Sequence, residues 1–326
     1  MKKVLIVSFS FEQEQEAFHL LREAGLEPVL LAENDRKDWT EDDLLKFWNA
    51  MPQKPEGLLM GADISLGEKF ASQAEGLKAI SLNCAGYDHL DVEAFQKHGI
   101  VICNVPRQNF DAVADLAWGL ILCVMRKIAE GDRNIRAGRW CDGVARGLAV
   151  SKKTIGIIGF GAIGQAVARR ALGFDMKIIV SSTSRKPELA GKYNAEYVDR
   201  ETLFQTADII IPTCPLADTT YHMINRETIG MMKPQAVVIN PSRGGIIDTQ
   251  ALYDALENHK IAGAGLDVYE TEPLYESPLF ELNNVVLTPH MGGLADREIH
   301  HVAMEAARHM VELLDKRTTG TEITRG

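Results

Sequence analysis

The chain has no cysteine pair at CxxC spacing, no long basic run, no apolar stretch of membrane length and no low-complexity linker. Each absence excludes something. The five cysteines, Cys84, Cys103, Cys123, Cys141 and Cys214, are scattered and odd in number. In a chain of 326 residues they read as free thiols in a reducing compartment, not as a disulfide framework or a zinc site, so no metal is expected. With a formal net charge of −10 and no basic patch, neither nucleic acid nor an anionic membrane is an expected partner. The apolar run that follows Met1, Lys2 and Lys3 is too short for a signal peptide, and Glu12, Glu14 and Glu16 come directly after it, so it reads as a first buried strand. The most apolar helix candidate, 112–125, contains Asp115 and falls short of the ~20 residues that a membrane span needs. A cytoplasmic, globular protein of about two domains is the expectation. Its acidic surface repels small anions at long range, so a pocket for a carboxylate would need a placed cation of its own.

What is present is alternation. The runs KKVLIVS, EPVLLA, EGLLMGA, KAISLNC and IVICNV read as strands, separated by helix-like stretches at 14–24, 68–74 and 92–98. A single long helix is predicted over 112–137, ending near Gly138. A second array begins at Thr154–Phe160, followed by a helix over 162–172 and by the strands KIIVSS, ADIIIPT, AVVINPS, AGAGLDVY and NVVLTPH. An amphipathic helix at about 296–316 closes the chain. Strands alternating with helices imply doubly wound parallel sheets, and apolar runs without strict alternation fit strands covered on both faces. The fold class is therefore α/β, with two such domains.

Gly159-Phe160-Gly161-Ala162-Ile163-Gly164 matches GxGxxG in the context that the pattern requires, after a strand and opening a helix. Gly159 permits the turn, Gly161 lets backbone approach a pyrophosphate and Gly164 lets helix and strand pack. The next strand ends in Ser181-Ser182-Thr183-Ser184-Arg185-Lys186, with no acid to bind ribose hydroxyls or repel a 2′-phosphate. Hydroxyls and two cations suit that phosphate, which favours NADP(H), with NAD(H) the alternative if Arg185 and Lys186 are only a solvated loop.

Three residues stand at successive strand ends of the second array: Arg243 in INPSRGGIID, Glu272 in LDVYETEP and His290 in LTPHMGG. Arginine can grip a carboxylate and polarise a neighbouring ketone. Histidine can supply a proton near neutral pH. A carboxylate beside it stabilises imidazolium. Together they suit reduction of a small 2-keto acid to a 2-hydroxy acid. Singly, each also reads as an ordinary turn or surface residue.

With these motifs in order, the sequence resembles the D-isomer-specific 2-hydroxyacid dehydrogenase family over essentially its whole length. The resemblance implies Arg243 as substrate-binding cation and Glu272 with His290 as acid/base pair, His290 also touching substrate. It implies Asp267 at the nicotinamide carboxamide, Pro241 and Ser242 along the ring, Gly292 near the cofactor, and Thr213 and Cys214 by the adenosine half. NCAGYDHLD resembles the family's substrate loop, whose matching amides are those of Ala85 and Gly86. It further implies a flavodoxin-like substrate domain made of 1–103 plus 295–326, a Rossmann cofactor domain at 104–294, and a homodimer formed largely by the helix at 112–137, whose other reading is intramolecular packing. The Ser182–Arg185 stretch resembles the NADPH-using glyoxylate/hydroxypyruvate reductases. Gly61-Ala62-Asp63 lacks the arginine of phosphoglycerate enzymes, and Trp140 stands where some reductases have an aromatic reaching a neighbouring subunit. The alternatives are an NAD-dependent enzyme, D-lactate-like or phosphoglycerate-like, and a non-catalytic nicotinamide-sensing scaffold.

Overall fold

The computed structural model describes residues 1–31, 39–62, 64–106, 109–144 and 146–323. Asp63 and the last residue of the EPVLLA run lie outside them. The chain divides into two compact units, Met1–Asn109 with Ala295–Gly326, and Phe110–Leu294.

The first unit carries a five-stranded parallel sheet of order β2-β1-β3-β4-β5, from β1 (Lys2–Val7), β2 (Leu26–Leu30), β3 (Gly57–Met60), β4 (Ala79–Leu82) and β5 (Val101–Cys103). Its central strands β3 and β4 are buried throughout, as continuous apolar runs covered on both faces require. Pro28 sits on the edge strand β2, where a missing N–H costs no ladder bond. One face is covered by the helices Glu41–Ala50, Glu68–Gln73 and Val92–Lys97, around Trp48, Phe70 and Phe95. The other is covered by Gln15–Glu23 and the closing helix Asp296–Leu314, which seats Ala303, Ala306 and Met310 on Val4, Ile6 and Leu59. Ser81 Oγ donates to the carbonyl of Ala306 at 2.9 Å, so the C-terminal helix belongs to this sheet although the whole second unit intervenes in sequence.

The second unit is built on a seven-stranded parallel sheet, β12-β11-β10-β9-β6-β7-β8. Its strands are β6 (Thr154–Ile158), β7 (Lys177–Ser181), β8 (Ala195–Tyr197), β9 (Ile209–Pro212), β10 (Val237–Asn240), β11 (Gly263–Leu266) and β12 (Val285–Leu287). Strand order reverses between β6 and β9, the point where open α/β sheets leave a crevice beyond the strand carboxyl ends. The edge strand β8 carries no long apolar run and was not anticipated.

The expected single helix over 112–137 is two helices, Phe110–Arg126 and Ile128–Arg136. Lys127 between them is left-handed, with φ 56°, and the Met125 carbonyl accepts the N–H of Leu148 at 2.7 Å. A returning loop thus takes a carbonyl at the break in the helix, a long-range event without a local sequence signal. Among the described residues, no helix is long and apolar enough to cross a membrane.

Candidate active site

The glycine loop leaves β6 at the switch point. Gly159 has φ +91°, and a Cβ there would lie 3.0 Å from the Thr213 carbonyl. Gly164 is in the first turn of the helix Ala162–Ala171, and its Cβ would lie 2.5 Å from the Gly159 carbonyl and 2.8 Å from Thr213 Oγ1. Both positions need glycine, one for backbone shape and one for contact. Gly161, by contrast, has open space where a side chain would be. Among the described residues the N–H groups of Gly161, Ala162 and Ile163 donate no hydrogen bond, so the helix start offers the amide donors and positive dipole end that suit a phosphate. Thr213 Oγ1 donates to the Gly159 carbonyl at 2.7 Å, bracing the turn. Cys214 packs against the same glycine, and burial pushes its thiol above the ordinary range. At the end of β7, Ser182 is half-buried, while Ser184 and Arg185 are exposed. These residues fit a bound dinucleotide.

Arg243, Glu272 and His290 follow β10, β11 and β12, adjacent parallel strands that place their carboxyl ends side by side. Behind Arg243, Pro241 and Ser242 are buried. Ser242 Oγ donates to the Pro212 carbonyl at 2.8 Å, and Asn240 Nδ2 to the Arg243 carbonyl at 2.9 Å. The half-buried Arg243 donates from a terminal guanidinium nitrogen to the Ser242 carbonyl at 2.8 Å.

Glu272 divides its two oxygens. One accepts the N–H of Tyr269 at 2.8 Å, fixing the carboxylate to its own loop. The other lies 2.6 Å from His290 Nδ1. A carboxylate only accepts, so Nδ1 carries the proton and Nε2 is the nitrogen available for exchange. The Glu272 hydrogen bond raises the His290 pKa, burial opposing it, with the Glu272 charge adding and the Arg243 charge subtracting. The loop that carries Arg243 abuts the loop that carries Glu272, the Gly244 backbone lying against Tyr269 and Glu270.

His290 is itself left-handed, φ 49°, a conformation that costs a side-chain-bearing residue of order 1 kcal/mol or more unless its surroundings fix it. Asp267 fixes it. The Asp267 carbonyl accepts the His290 N–H at 2.9 Å. Its buried carboxylate accepts the Thr288 hydroxyl at 2.6 Å, the Met291 N–H at 2.9 Å and the Gly292 N–H at 2.8 Å. Burial pushes that carboxyl above its usual range, against the pull of these hydrogen bonds. A carboxylate has about four acceptor positions, so one remains for a further donor.

Sequence reasoning passed over a second histidine–carboxylate pair. His222 Nε2 lies 2.6 Å from Glu270 Oε1, while Glu270 Oε2 accepts the Thr249 N–H at 3.0 Å. Burial works against the Glu270 charge, but the bonds from Thr249 and His222 hold its carboxyl below the usual range. The His222 N–H donates to the Gly245 carbonyl at 2.8 Å. The pair therefore ties the Arg243 loop to the Glu272 loop. Glu270 was visible in LDVYETEP, but nothing local separates its bracing role from that of Glu272.

In the first unit, Ala85 and Gly86 follow β4. The Ala85 carbonyl accepts Asn104 Nδ2 at 2.6 Å, the Cys84 carbonyl accepts the Val105 N–H at 3.1 Å, and the Gly86 carbonyl accepts the Cys84 thiol at 3.2 Å. With three successive carbonyls taken, the N–H groups of Ala85 and Gly86 donate to no group among the described residues.

Residues 118–292 match the sequence pattern of the D-isomer specific 2-hydroxyacid dehydrogenase NAD binding domain. A glyoxylate reductase of Thermococcus litoralis is 45% identical over 285 residues, spanning 82% of this chain and 86% of that protein. The solved TT0316 protein of Thermus thermophilus superposes with a TM-score of 0.86 at 32% identity, over 99% of this chain and 100% of that one. An acyclic imino acid reductase, solved in complex with NADPH and D-Arg, superposes with a TM-score of 0.83 at 27% identity, over 99% and 100% of the two chains. The nicotinamide-binding pattern covers more than half of the sequence, and the likeness to a whole-length relative extends it. The protein is an oxidoreductase of the D-isomer-specific 2-hydroxyacid dehydrogenase family.

Proposed function

We propose that this chain is an NADPH-preferring reductase of glyoxylate, hydroxypyruvate or a similarly short 2-keto acid. The observation that carries the chemistry is the 2.6 Å contact of His290 Nδ1 with Glu272, whose loop abuts the one that carries Arg243. A bound nicotinamide supplies the hydride. The protein supplies position, charge and a proton. Arg243 holds the substrate carboxylate and polarises the ketone, and His290 donates from Nε2 to the oxygen as negative charge develops there. Glu272 keeps the imidazole protonated and aimed. Asp267 offers its remaining acceptor position to a carboxamide N–H. The unit containing Ala85 and Gly86 acts as the substrate domain, its two loop amides suiting an anion, and the Phe110–Leu294 unit binds the cofactor.

Three features support NADP(H): the absence of an acid from Ser182 through Lys186, the exposed Arg185, and the NADPH-bound reductase of the same architecture. The short substrate is supported by the likeness to a glyoxylate reductase. The same reading includes a homodimer, supported by the exposed apolar side chains of Ile128, Ile135 and Trp140, and a cytoplasmic setting, which suits free cysteines.

A panel of 2-keto acids assayed with NADPH and NADH tests it. Glyoxylate or hydroxypyruvate is expected to give the highest kcat/KM, and NADPH to exceed NADH. Replacing Ser182 by Asp is expected to move that ratio towards NADH. An unmoved ratio contradicts the cofactor assignment, and nicotinamide binding without turnover of any keto acid sinks the enzymatic one.

A further inference from the structure

We infer that Tyr197 is a positioning residue for the adenosine 2′-phosphate, acting through Arg185. This rests on the NADP(H) reading and goes beyond it by naming the element that orients the cation. Tyr197 is the last residue of β8, which pairs in parallel with β7, so it stands beside the strand that delivers Ser182–Lys186. Three contacts converge on its half-buried ring. The guanidinium carbon of Arg185 lies over the ring face, 5.9 Å from the centroid. The phenol oxygen accepts the Lys186 N–H at 3.0 Å. Phe160 meets the ring edge-to-face, centroids 6.2 Å apart.

Phe160 lies between Gly159 and Gly161. Tyr197 is therefore the side chain that joins the loop suited to a pyrophosphate to the loop suited to a ribose phosphate. The physical need is clear. Arg185 is exposed, and ordering a long side chain on binding costs conformational entropy. A planar guanidinium held over an aromatic face keeps its edge N–H groups free for an anion while losing much of that freedom beforehand. The hydroxyl contact does the same for the backbone between Arg185 and Lys186.

The test reads binding without turnover, using adenosine 2′,5′-bisphosphate and AMP as probes in calorimetry of the full-length protein, alongside KM for NADPH and NADH. Tyr197→Leu is expected to weaken the bisphosphate roughly two- to fivefold more than AMP, and to raise the NADPH KM relative to the NADH KM by a similar factor. Tyr197→Phe, which keeps the ring, is expected to recover most of that loss. Arg185→Ala is expected to weaken the bisphosphate roughly tenfold or more, and Tyr197→Leu to add no further selectivity in that background, because the two act as one unit. If Arg185→Ala lowers bisphosphate affinity but Tyr197→Leu does not, the Tyr197 inference fails while the NADP(H) reading survives. If Tyr197→Leu weakens AMP and bisphosphate equally, its role is only structural and the inference fails again. If Arg185→Ala itself leaves the bisphosphate-to-AMP ratio unchanged, the NADP(H) reading falls and takes this inference with it.

Discussion

Replacing Gly244 by alanine tests whether the site depends on the spacing of its loops. Gly244 follows Arg243 directly, and a Cβ there would overlap the carbonyl carbon and oxygen of Tyr269 and the N–H nitrogen of Glu270. These are backbone atoms, so no rotamer change relieves the clash. Ordinary contact begins near 3.4 Å, and reaching it would part the Arg243 loop from the Glu272 loop by more than about 1 Å, a misplacement that can cost roughly 10²-fold in rate. Overpacking of this kind also destabilises by about 1–3 kcal/mol, or roughly 2–4 °C of Tm per kcal/mol in a unit of this size. The expected result is a fall in kcat/KM for glyoxylate of about two orders of magnitude, together with a Tm lowered by several degrees, measured by steady-state NADPH oxidation and by calorimetry. Gly161→Ala is the control for stability, since open space surrounds that position; its Tm is expected to stay within about 1 °C, by the small effect of substitutions away from packed features. Near-normal kcat/KM in Gly244→Ala would refute the claim that the two loops must keep this separation.

Glu272→Gln replaces the carboxylate by a neutral amide, which weakens the hydrogen bond that most raises the His290 pKa and removes the charge that adds to it. Reduction needs the imidazolium, so the alkaline limb of its pH profile is expected to move to lower pH. Oxidation needs the neutral ring, so its acid limb is expected to move in the same direction; limbs that stay in place would remove Glu272 from the proton-transfer apparatus. His290→Ala is expected to lower kcat by about 10²–10⁴-fold, the usual contribution of a general acid, with a much smaller change in cofactor affinity by fluorescence titration, and an unchanged kcat would contradict proton donation.

The candidate site residues stand out in the sequence because their types are scarce and their context is strong. Glycines at Gly159, Gly161 and Gly164 after an apolar strand, and Arg243, Glu272 and His290 after three others, announce themselves by identity and order. The parallel sheets were legible for a related reason: buried strands such as β3, β9 and β10 must be apolar over nearly their whole length, and each is. What escaped was whatever depends on a partner far along the chain. The helix break at Lys127 involves Leu148, and β8 exists by pairing with β7 despite a polar residue at its centre. His222, Thr288 and Tyr197 carry no motif: Thr288 and Tyr197 act on Asp267 and Arg185, which the sequence singles out, and His222 acts on Glu270, which it does not. The division has a physical origin. A reacting group must have particular chemistry, which restricts residue type. A supporting group must only fill a place and satisfy a donor or acceptor, which many residue types can do. A substitution that leaves Arg243, Glu272 and His290 in place is therefore still expected to disable the site, as the Gly244 clash illustrates: the arginine beside it keeps its identity while its loop is pushed from the loop that carries Glu272.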